Sequence, residues 1–405
     1  MATAFAHLSE MAKDGRTAGE RDAGGLSVGG NRLSLLPVGP DRLAALMALI
    51  AGARQRLDLY FYMFTRDPCA AEVREALIDA CNRGVAVTLL IDAFGSAFSP
   101  DSFFAPLIDA GARFGRFGKR RSTRYLIRNH QKMVIADGRR ALVGGFNIAA
   151  DYFAPEDDPT GWRDMGLNVE GPLVPDLQRW FDDIAEWTLD EKQSFMKLRR
   201  MVRDWRPGAG RTMWLMGGPT RHLNSWAKRL KLDLQSGKRL DIAAAYFSPG
   251  WSMVRRLGRL SRAGSARVVT ASLSDNTATI GAARHLYGRL IRAGVSIFEY
   301  RPQKLHAKLI VIDDIAYVGS ANFDMRSLFL NIELMLRIDD TAFAALVRGD
   351  IDAMASESQE IDTERHQAMA RPLSRLRWWL DYLLVAVVDF TVTRRLNMWR
   401  DRSGD

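Results

Sequence analysis

One stretch of this chain occurs twice, and that repetition constrains the fold more than any other feature. Asn129–Asn147 reads NHQKMVIADGRRALVGGFN, and Leu305–Asn322 reads LHAKLIVIDDIAYVGSAN. Aligned on His130 and His306, Lys132 meets Lys308, Asp137 meets Asp313, Gly144 meets Gly319 and Asn147 meets Asn322. The first copy carries one extra residue at Gly138-Arg139-Arg140, where a hairpin turn is expected. Met133–Ile135 and Leu309–Ile312 are apolar and largely β-branched, so each copy is predicted to be a strand. Residues two apart on a strand share a face. His130 and Lys132 therefore point one way, as do His306 and Lys308. Asp137 and Asp313 are odd-numbered steps from their histidines and are expected to serve the turn. A second strand follows each turn, at Ala141–Val143 and Ala316–Val318, and runs into Gly144-Gly145 or Gly319-Ser320. Glycine there is expected to let backbone approach a ligand.

The duplication extends beyond the motif. Arg239-Leu240-Asp241-Ile242 echoes Arg56-Leu57-Asp58-Leu59, Tyr246-Phe247 echoes Met63-Phe64, and Leu290-Ile291-Arg292-Ala293-Gly294 echoes Leu107-Ile108-Asp109-Ala110-Gly111. The second motif sits seven residues earlier than that common offset, the difference being a basic loop before His130. Between the echoes, strand and helix patterns alternate: a strand at Asn31–Pro37, a helix from a cap at Asp41 to Ala53, a strand at Arg56–Phe64, a helix at Ala70–Asn82, and a strand at Val85–Ile91. This order predicts βαβ units and a largely parallel sheet. Leu173–Leu189 is predicted helical and Arg199–Gly210 is predicted to link the halves. The expected architecture is α/β: two tandem lobes over 31–205 and 206–372, each a mostly parallel mixed sheet flanked by helices. A polar, glycine-rich segment over 1–30 with no apolar leader is expected to be flexible.

The motifs resemble the paired HKD motifs of the phospholipase D superfamily. Trp162-Arg163-Asp164-Met165 with Gly171-Pro172, and Asp324-Met325-Arg326-Ser327 through Asn331-Ile332-Glu333, are similar to the segments that follow the two motifs in bacterial cardiolipin synthases. The likeness runs from about Leu33 to about Leu346. It implies phospholipase D-like lobes with one site at their interface, and a short form without N-terminal membrane spans. It also implies a route in which one histidine attacks phosphorus and the other protonates the departing alcohol. By that analogy His130 is the nucleophile and His306 the acid/base, with Glu333 and Asp164 as their acidic partners.

The residue chemistry fits. A phosphodiester resists attack because it is anionic, so catalysis needs a nucleophile, an acid and positive charge on the nonbridging oxygens. Imidazole suits the first two roles. Lys132 and Lys308 bring charge, Asn147 and Asn322 bring amide donors, and Ser320 brings a hydroxyl beside Gly144, Gly145 and Gly319 as expected substrate contacts. The chain has six histidines; His7, His222, His285 and His366 lack motif partners and are taken as structural. A lysine beside each motif histidine opposes metal binding, so no metal and no cofactor are expected.

Composition bears on partners. The formal net charge is +10, which favours an anionic membrane or nucleic acid. Arg113, Arg116, Lys119, Arg120, Arg121, Arg124 and Arg128 crowd just before His130, either as a phosphate-attracting rim or as a solvated loop. Two cysteines, Cys69 and Cys81, fit a reducing compartment. Residues 373–405 form a distinct tail. Trp378–Val392 is apolar but interrupted by Asp381 and Asp389, with Arg371, Arg375, Arg377, Arg394 and Arg395 alongside and Trp378, Trp379 and Trp399 near its ends. It is too short and too charged to span. It suits either an interfacial helix on an anionic membrane or a helix packed on the core. The expected activity is a cardiolipin synthase, cytoplasmic and peripheral on the inner face of the cell membrane. It would use phosphatidylglycerol, with phosphatidylethanolamine as a second candidate donor. A phospholipase D using water or another alcohol is the alternative; a nuclease of the same superfamily is less expected, and so is a catalytically dead lipid-binding module.

Overall fold

The structure is a computed structural model and describes residues 25–118 and 127–388. Two eight-stranded sheets carry it. In the first, the strands run Leu26–Val28, Asn31–Leu36, Gly166–Glu170, Arg140–Gly144, Lys132–Ala136, Arg56–Phe61, Ala86–Asp92 and Arg113–Phe117 from edge to edge. The second repeats the plan with Thr212–Gly217, Glu333–Asp339, Ile315–Gly319, Lys308–Ile312, Arg239–Ala244, Ser265–Ala271, Ser296–Tyr300 and Ser358–Glu360. The tandem α/β lobes are therefore present, and each sheet is mixed.

Parallel pairing is confined to one side of each sheet. Arg56–Phe61 pairs in parallel with Ala86–Asp92, and that strand with Arg113–Phe117. The motif hairpin and its neighbours pair antiparallel, so parallel ladders are the minority, not the majority the alternating pattern suggested. The reason is local. A hairpin turn reverses the chain within a few residues, whereas a parallel neighbour needs a helical crossover.

Each hairpin is locked by its aspartate. Asp137 and Asp313 adopt left-handed backbone, with φ of 54° and 50°. The Asp137 carboxylate accepts from the backbone N–H groups of Arg54, Gln55 and Arg56. Asp313 accepts from Lys238 and Arg239. Both tie the turn to the start of the neighbouring central strand.

Several boundaries move. The first helix spans Gly39–Gly52 with Val38 at its N-cap position, so Asp41 lies in its first turn and is not its cap. The next helix, Pro68–Asn82, is capped by Asp67, whose side chain accepts from Ala70 N–H. The helix Leu173–Leu189 forms as expected. The supposed linker is partly helical, at Phe195–Asp204. Leu26–Val28 pairs with Asn31–Leu36, so the end of the segment expected to be flexible is a strand; residues 1–24 lie outside the described ones.

The inner faces of the two sheets share one core. Val143, Met165, Leu167 and Trp180 of the first lobe pack in the same buried cluster as Trp214, Met216, Val318 and Leu334 of the second. Each lobe adds an outer cluster under its own helices. A continuous inter-lobe core makes the interface a fixed surface on which a site can be built.

Candidate active site

The two motifs meet at that interface, and each lobe completes the other. His130 N–H donates to Ile332 O at 2.8 Å, and Ile332 N–H donates back to Arg128 O at 2.9 Å. On the other side His306 N–H donates to Arg163 O at 2.7 Å, where Lys304–Leu305 pairs in parallel with Trp162–Arg163. Each histidine thus enters the site stitched to the segment of the opposite lobe that carries its carboxylate. His130 Nδ1 lies 3.3 Å from Glu333 Oε2 and 3.0 Å from Ser320 O. His306 Nδ1 lies 2.6 Å from Asp164 Oδ2. Every partner of these Nδ1 atoms is an acceptor, so Nδ1 carries the hydrogen in both rings and Nε2 carries the lone pair.

Charge in the site is dense and dry. His130, Lys132, His306, Lys308, Asp164 and Glu333 are all buried. Burial, then Lys132, pushes the His130 pKa down to about 4; burial, then Lys308, pushes His306 down to about 3. Both imidazoles are therefore neutral at neutral pH with no anion bound. Burial, then Lys308, lowers Lys132 well below its ordinary value, and burial lowers Lys308 to about 8. Each histidine also feels the lysine of the other motif, so the two copies form one electrostatic unit. Two ammonium groups held this close to each other and away from water favour an anion between them. Lys132 Nζ donates to His130 O at 2.6 Å, and Lys308 Nζ donates to His306 O. These bonds aim each ammonium along its own strand.

The remaining expected residues divide. Asn147 Oδ1 accepts from Met63 N–H at 3.1 Å, which orients its amide. Asn322 Oδ1 is buried with no hydrogen-bond partner among the described residues. Ser320 does not present its hydroxyl as a substrate contact. It donates to Glu333 Oε2 and accepts from Leu334 N–H, so it positions the carboxylate. The glycines also have a different reason to be glycine. A Cβ on Gly144 would lie 2.4 Å from Met165 O, one on Gly319 2.2 Å from Leu334 O, and one on Gly145 2.3 Å from Asp164 Oδ1. They admit the neighbouring strand and Asp164, and the space a side chain would take is filled by protein. Of the basic run, Arg116 pairs with Asp101 and Arg128 stacks over Phe94 at 3.9 Å. Lys119, Arg120, Arg121 and Arg124 lie outside the described residues.

The structure adds residues that the motif spacing did not reveal. Tyr62 packs edge-on against His130 at 4.9 Å between centroids, and Lys132 Nζ lies 5.2 Å from the same ring. Tyr152 and Trp162 stack on each other and meet the His306 ring at 5.1 and 5.3 Å. These rings clamp each imidazole in one orientation. Arg42 is buried in the first helix and donates to Asp164 O at 2.8 Å and Tyr152 O at 2.7 Å, fixing the segment that carries the carboxylate. Asp92 accepts from the N–H groups of Asn129, Phe94 and Gly95, which anchors the residue before His130. Only Trp162 stood in a recognisable flank. The others are ordinary residues in apolar runs, and nothing in their spacing marks them.

Comparison with known proteins agrees with this geometry. The family described as "Cardiolipin synthase, PLD-like domain" matches residues 46–184 and 232–355, one segment in each lobe. The chain belongs to that family: it is a cardiolipin synthase-like enzyme of the phospholipase D superfamily. Cardiolipin synthase B of Escherichia coli (strain K12) is 28% identical over 359 residues, covering 86% of this chain and 85% of that one. Cardiolipin synthase A of Pseudomonas entomophila (strain L48) is 30% identical over 361 residues, covering 85% and 74%. Among solved structures, the phosphatidylserine synthase of Haemophilus influenzae Rd KW20 superposes with a TM-score of 0.69 at 14% identity, over 88% of this chain and 95% of that one, a likeness of fold.

Proposed function

We propose that this enzyme makes cardiolipin by moving a phosphatidyl group onto a phosphatidylglycerol hydroxyl through a phosphohistidine. The observation that carries the reading is the crossed pairing of each histidine with a carboxylate of the other lobe, around two buried lysines. In the first step His130 Nε2 attacks phosphorus. The bond to the leaving alcohol breaks, and that oxygen takes a proton from His306. In the second step the acceptor hydroxyl gives its proton to His306 and its oxygen attacks phosphorus, breaking the N–P bond. One phosphodiester replaces another, so no nucleotide is consumed. Lys132, Lys308 and the Asn147 and Asn322 amides stabilise the equatorial oxygens.

The assignment of roles follows from an asymmetry. Asp164 Oδ2 lies 2.6 Å from His306 Nδ1 while its Oδ1 accepts from Met165 N–H; Glu333 Oε2 lies 3.3 Å from His130 Nδ1 and the same oxygen also accepts from Ser320 Oγ. The empty site holds His306 at the lower pKa of the two, but its shorter carboxylate contact favours it as the group that holds a proton once a phosphate anion offsets the lysines. Water as acceptor would give phosphatidic acid from the same intermediate. A membrane supplies lipid alcohols at high local concentration and limits water, which favours transfer.

We also propose that the enzyme works at an anionic membrane surface, on the inner face of the cell membrane. No helix among the described residues is long and apolar enough to cross a membrane. The helix Pro372–Tyr382 and the turn after it expose Leu373, Leu376, Trp379, Leu380 and Leu384 beside Arg371, Arg375 and Arg377. Apolar side chains with basic flanks suit the headgroup boundary. The test is mass analysis of products from purified enzyme with phosphatidylglycerol vesicles: cardiolipin and glycerol support the transferase, and phosphatidic acid alone makes it a hydrolase.

A further inference from the structure

The second lobe holds a cavity outside the histidine site, with a volume of about 760 Å³. That lies within the ~300–1,000 Å³ typical of ligand pockets. Its walls combine two chemistries. Arg221, Lys228 and Lys231 contribute cations, and no carboxylate lines the cavity among the described residues. None of the three has an ion-pair partner among the described residues. Leu232, Met325 and Phe329 contribute apolar surface, and Leu232 is 46% exposed beside those lysines. The three cations lack counter-charges among the described residues and stand beside the solvent-exposed Leu232. An amphiphile with an anionic head satisfies both at once.

Its position says which amphiphile. Met325 follows Asp324, whose carboxylate caps the short helix Met325–Phe329, and Asn322 of the second motif lies just upstream. Asp324 acts electrostatically on Lys308, so the segment that walls the cavity at Met325 continues from the second motif. Ser252, at the start of the helix Trp251–Ala263, forms another wall. Immediately before it, Pro249 O accepts from Tyr382 Oη of the C-terminal helix at 3.3 Å, and Trp251 packs on Tyr382 at 5.5 Å. That helix exposes the apolar face described above. The cavity is thus walled by segments that continue on one side to the second motif and on the other to the contact with the C-terminal helix.

We infer that this cavity is a seat for one anionic phospholipid drawn from the membrane, with its phosphate at Arg221, Lys228 and Lys231 and its chains along Leu232, Met325 and Phe329. This rests on the lipid-transfer reading above and adds a subsite to it. The seated lipid is presented to the second motif without leaving apolar surroundings.

The test uses the full chain and vesicles of phosphatidylcholine doped with phosphatidylglycerol carrying a photoreactive diazirine on one acyl chain. After irradiation, adducts are mapped by peptide mass spectrometry. Adducts are expected on the segments holding Leu232 and Met325–Phe329, and they should persist in His130→Ala. Lys228→Glu with Lys231→Glu should lower them about tenfold or more, the worth of one charge-assisted contact. The melting temperature of that double variant should match wild type, since both side chains are on the surface of a helix. Equal labelling by a diazirine phosphatidylcholine would overturn the inference, as would adducts confined to other segments or unchanged by the double variant. Cardiolipin formation without cavity adducts would sink this subsite alone. Cavity adducts without any cardiolipin would support the subsite and count against the transferase reading.

Discussion

At the scale of single residues, the two carboxylates predict unequal outcomes. Asp164→Asn removes the negative charge beside His306 Nδ1, so kcat should fall by roughly 10²–10⁴-fold, the usual worth of a positioned acid–base group. Glu333→Gln should cost less, because Ser320 O still accepts from His130 Nδ1 at 3.0 Å. Steady-state kinetics on both variants checks the order; a larger loss at Glu333 would reverse the assigned roles. The buried imidazoles also predict a pH effect on stability. Their folded pKa values, about 4 and about 3, lie below the ordinary 6.5. Unfolded imidazoles take up protons that the folded ones refuse, so this contribution is present in full above 6.5 and is lost as pH falls toward about 4. His130→Ala should therefore lose less melting temperature than wild type between about pH 7 and about pH 5. An identical slope would mean that the folded and unfolded imidazoles bind protons alike over this range. The motif histidines and lysines were legible in the sequence because they repeat in register. Tyr62, Tyr152 and Arg42 were not, because their work depends on which chain segments the fold brings beside the rings.

At the scale of elements, the C-terminal helix has two unlike faces. Trp378 and Tyr382 face inward, and Gly281 lets the helix come so close that a Cβ there would meet the Asp381 carboxylate. Leu376 and Trp379 face outward. The sequence left an interfacial helix and a packed helix as alternatives, and one helix with two faces accommodates both; residues 389–405 lie outside the described ones. Cutting the chain after Pro372 would therefore uncover core, so point substitutions separate the roles better. Leu376→Glu with Trp379→Glu should weaken binding to anionic vesicles while leaving the melting temperature near wild type. Trp378→Ala should instead destabilise by about 3 kcal/mol, as expected for a large buried aromatic. Vesicle cosedimentation and thermal denaturation read the two effects; unchanged binding in the outward-face variant would remove this helix from the membrane contact. Elements with strong periodicity, such as Leu173–Leu189, were legible almost to the residue. The sheet's pairing sense was not, because alternating strands and helices mark crossovers but do not show how many hairpin strands join the same sheet.

At the scale of the whole molecule, duplication accounts for the chemistry. Each histidine meets a carboxylate of the other lobe: His130 meets Glu333 of the second, and His306 meets Asp164 of the first. The shared core fixes the lobes together, so the crossed pairs are set before substrate arrives. The tandem architecture could be read from the repeated motif and its echoes, and the interface location from the family likeness. The crossed stitching at Ile332 and Arg163 is a property of the docked lobes. The central claim is transfer through a phosphohistidine, and one measurement tests it most directly. Wild type, His130→Ala and His306→Ala are incubated with phosphatidylglycerol, with and without phosphatidylethanolamine, and both lipid products and the acid-quenched protein are analysed by mass. The account predicts cardiolipin from wild type, a phosphatidyl adduct on His130 that is absent in His130→Ala, and slowed formation and turnover of that adduct in His306→Ala. Phosphatidic acid as the only product, an adduct on His306 instead, or cleavage of DNA with no lipid turnover would contradict it.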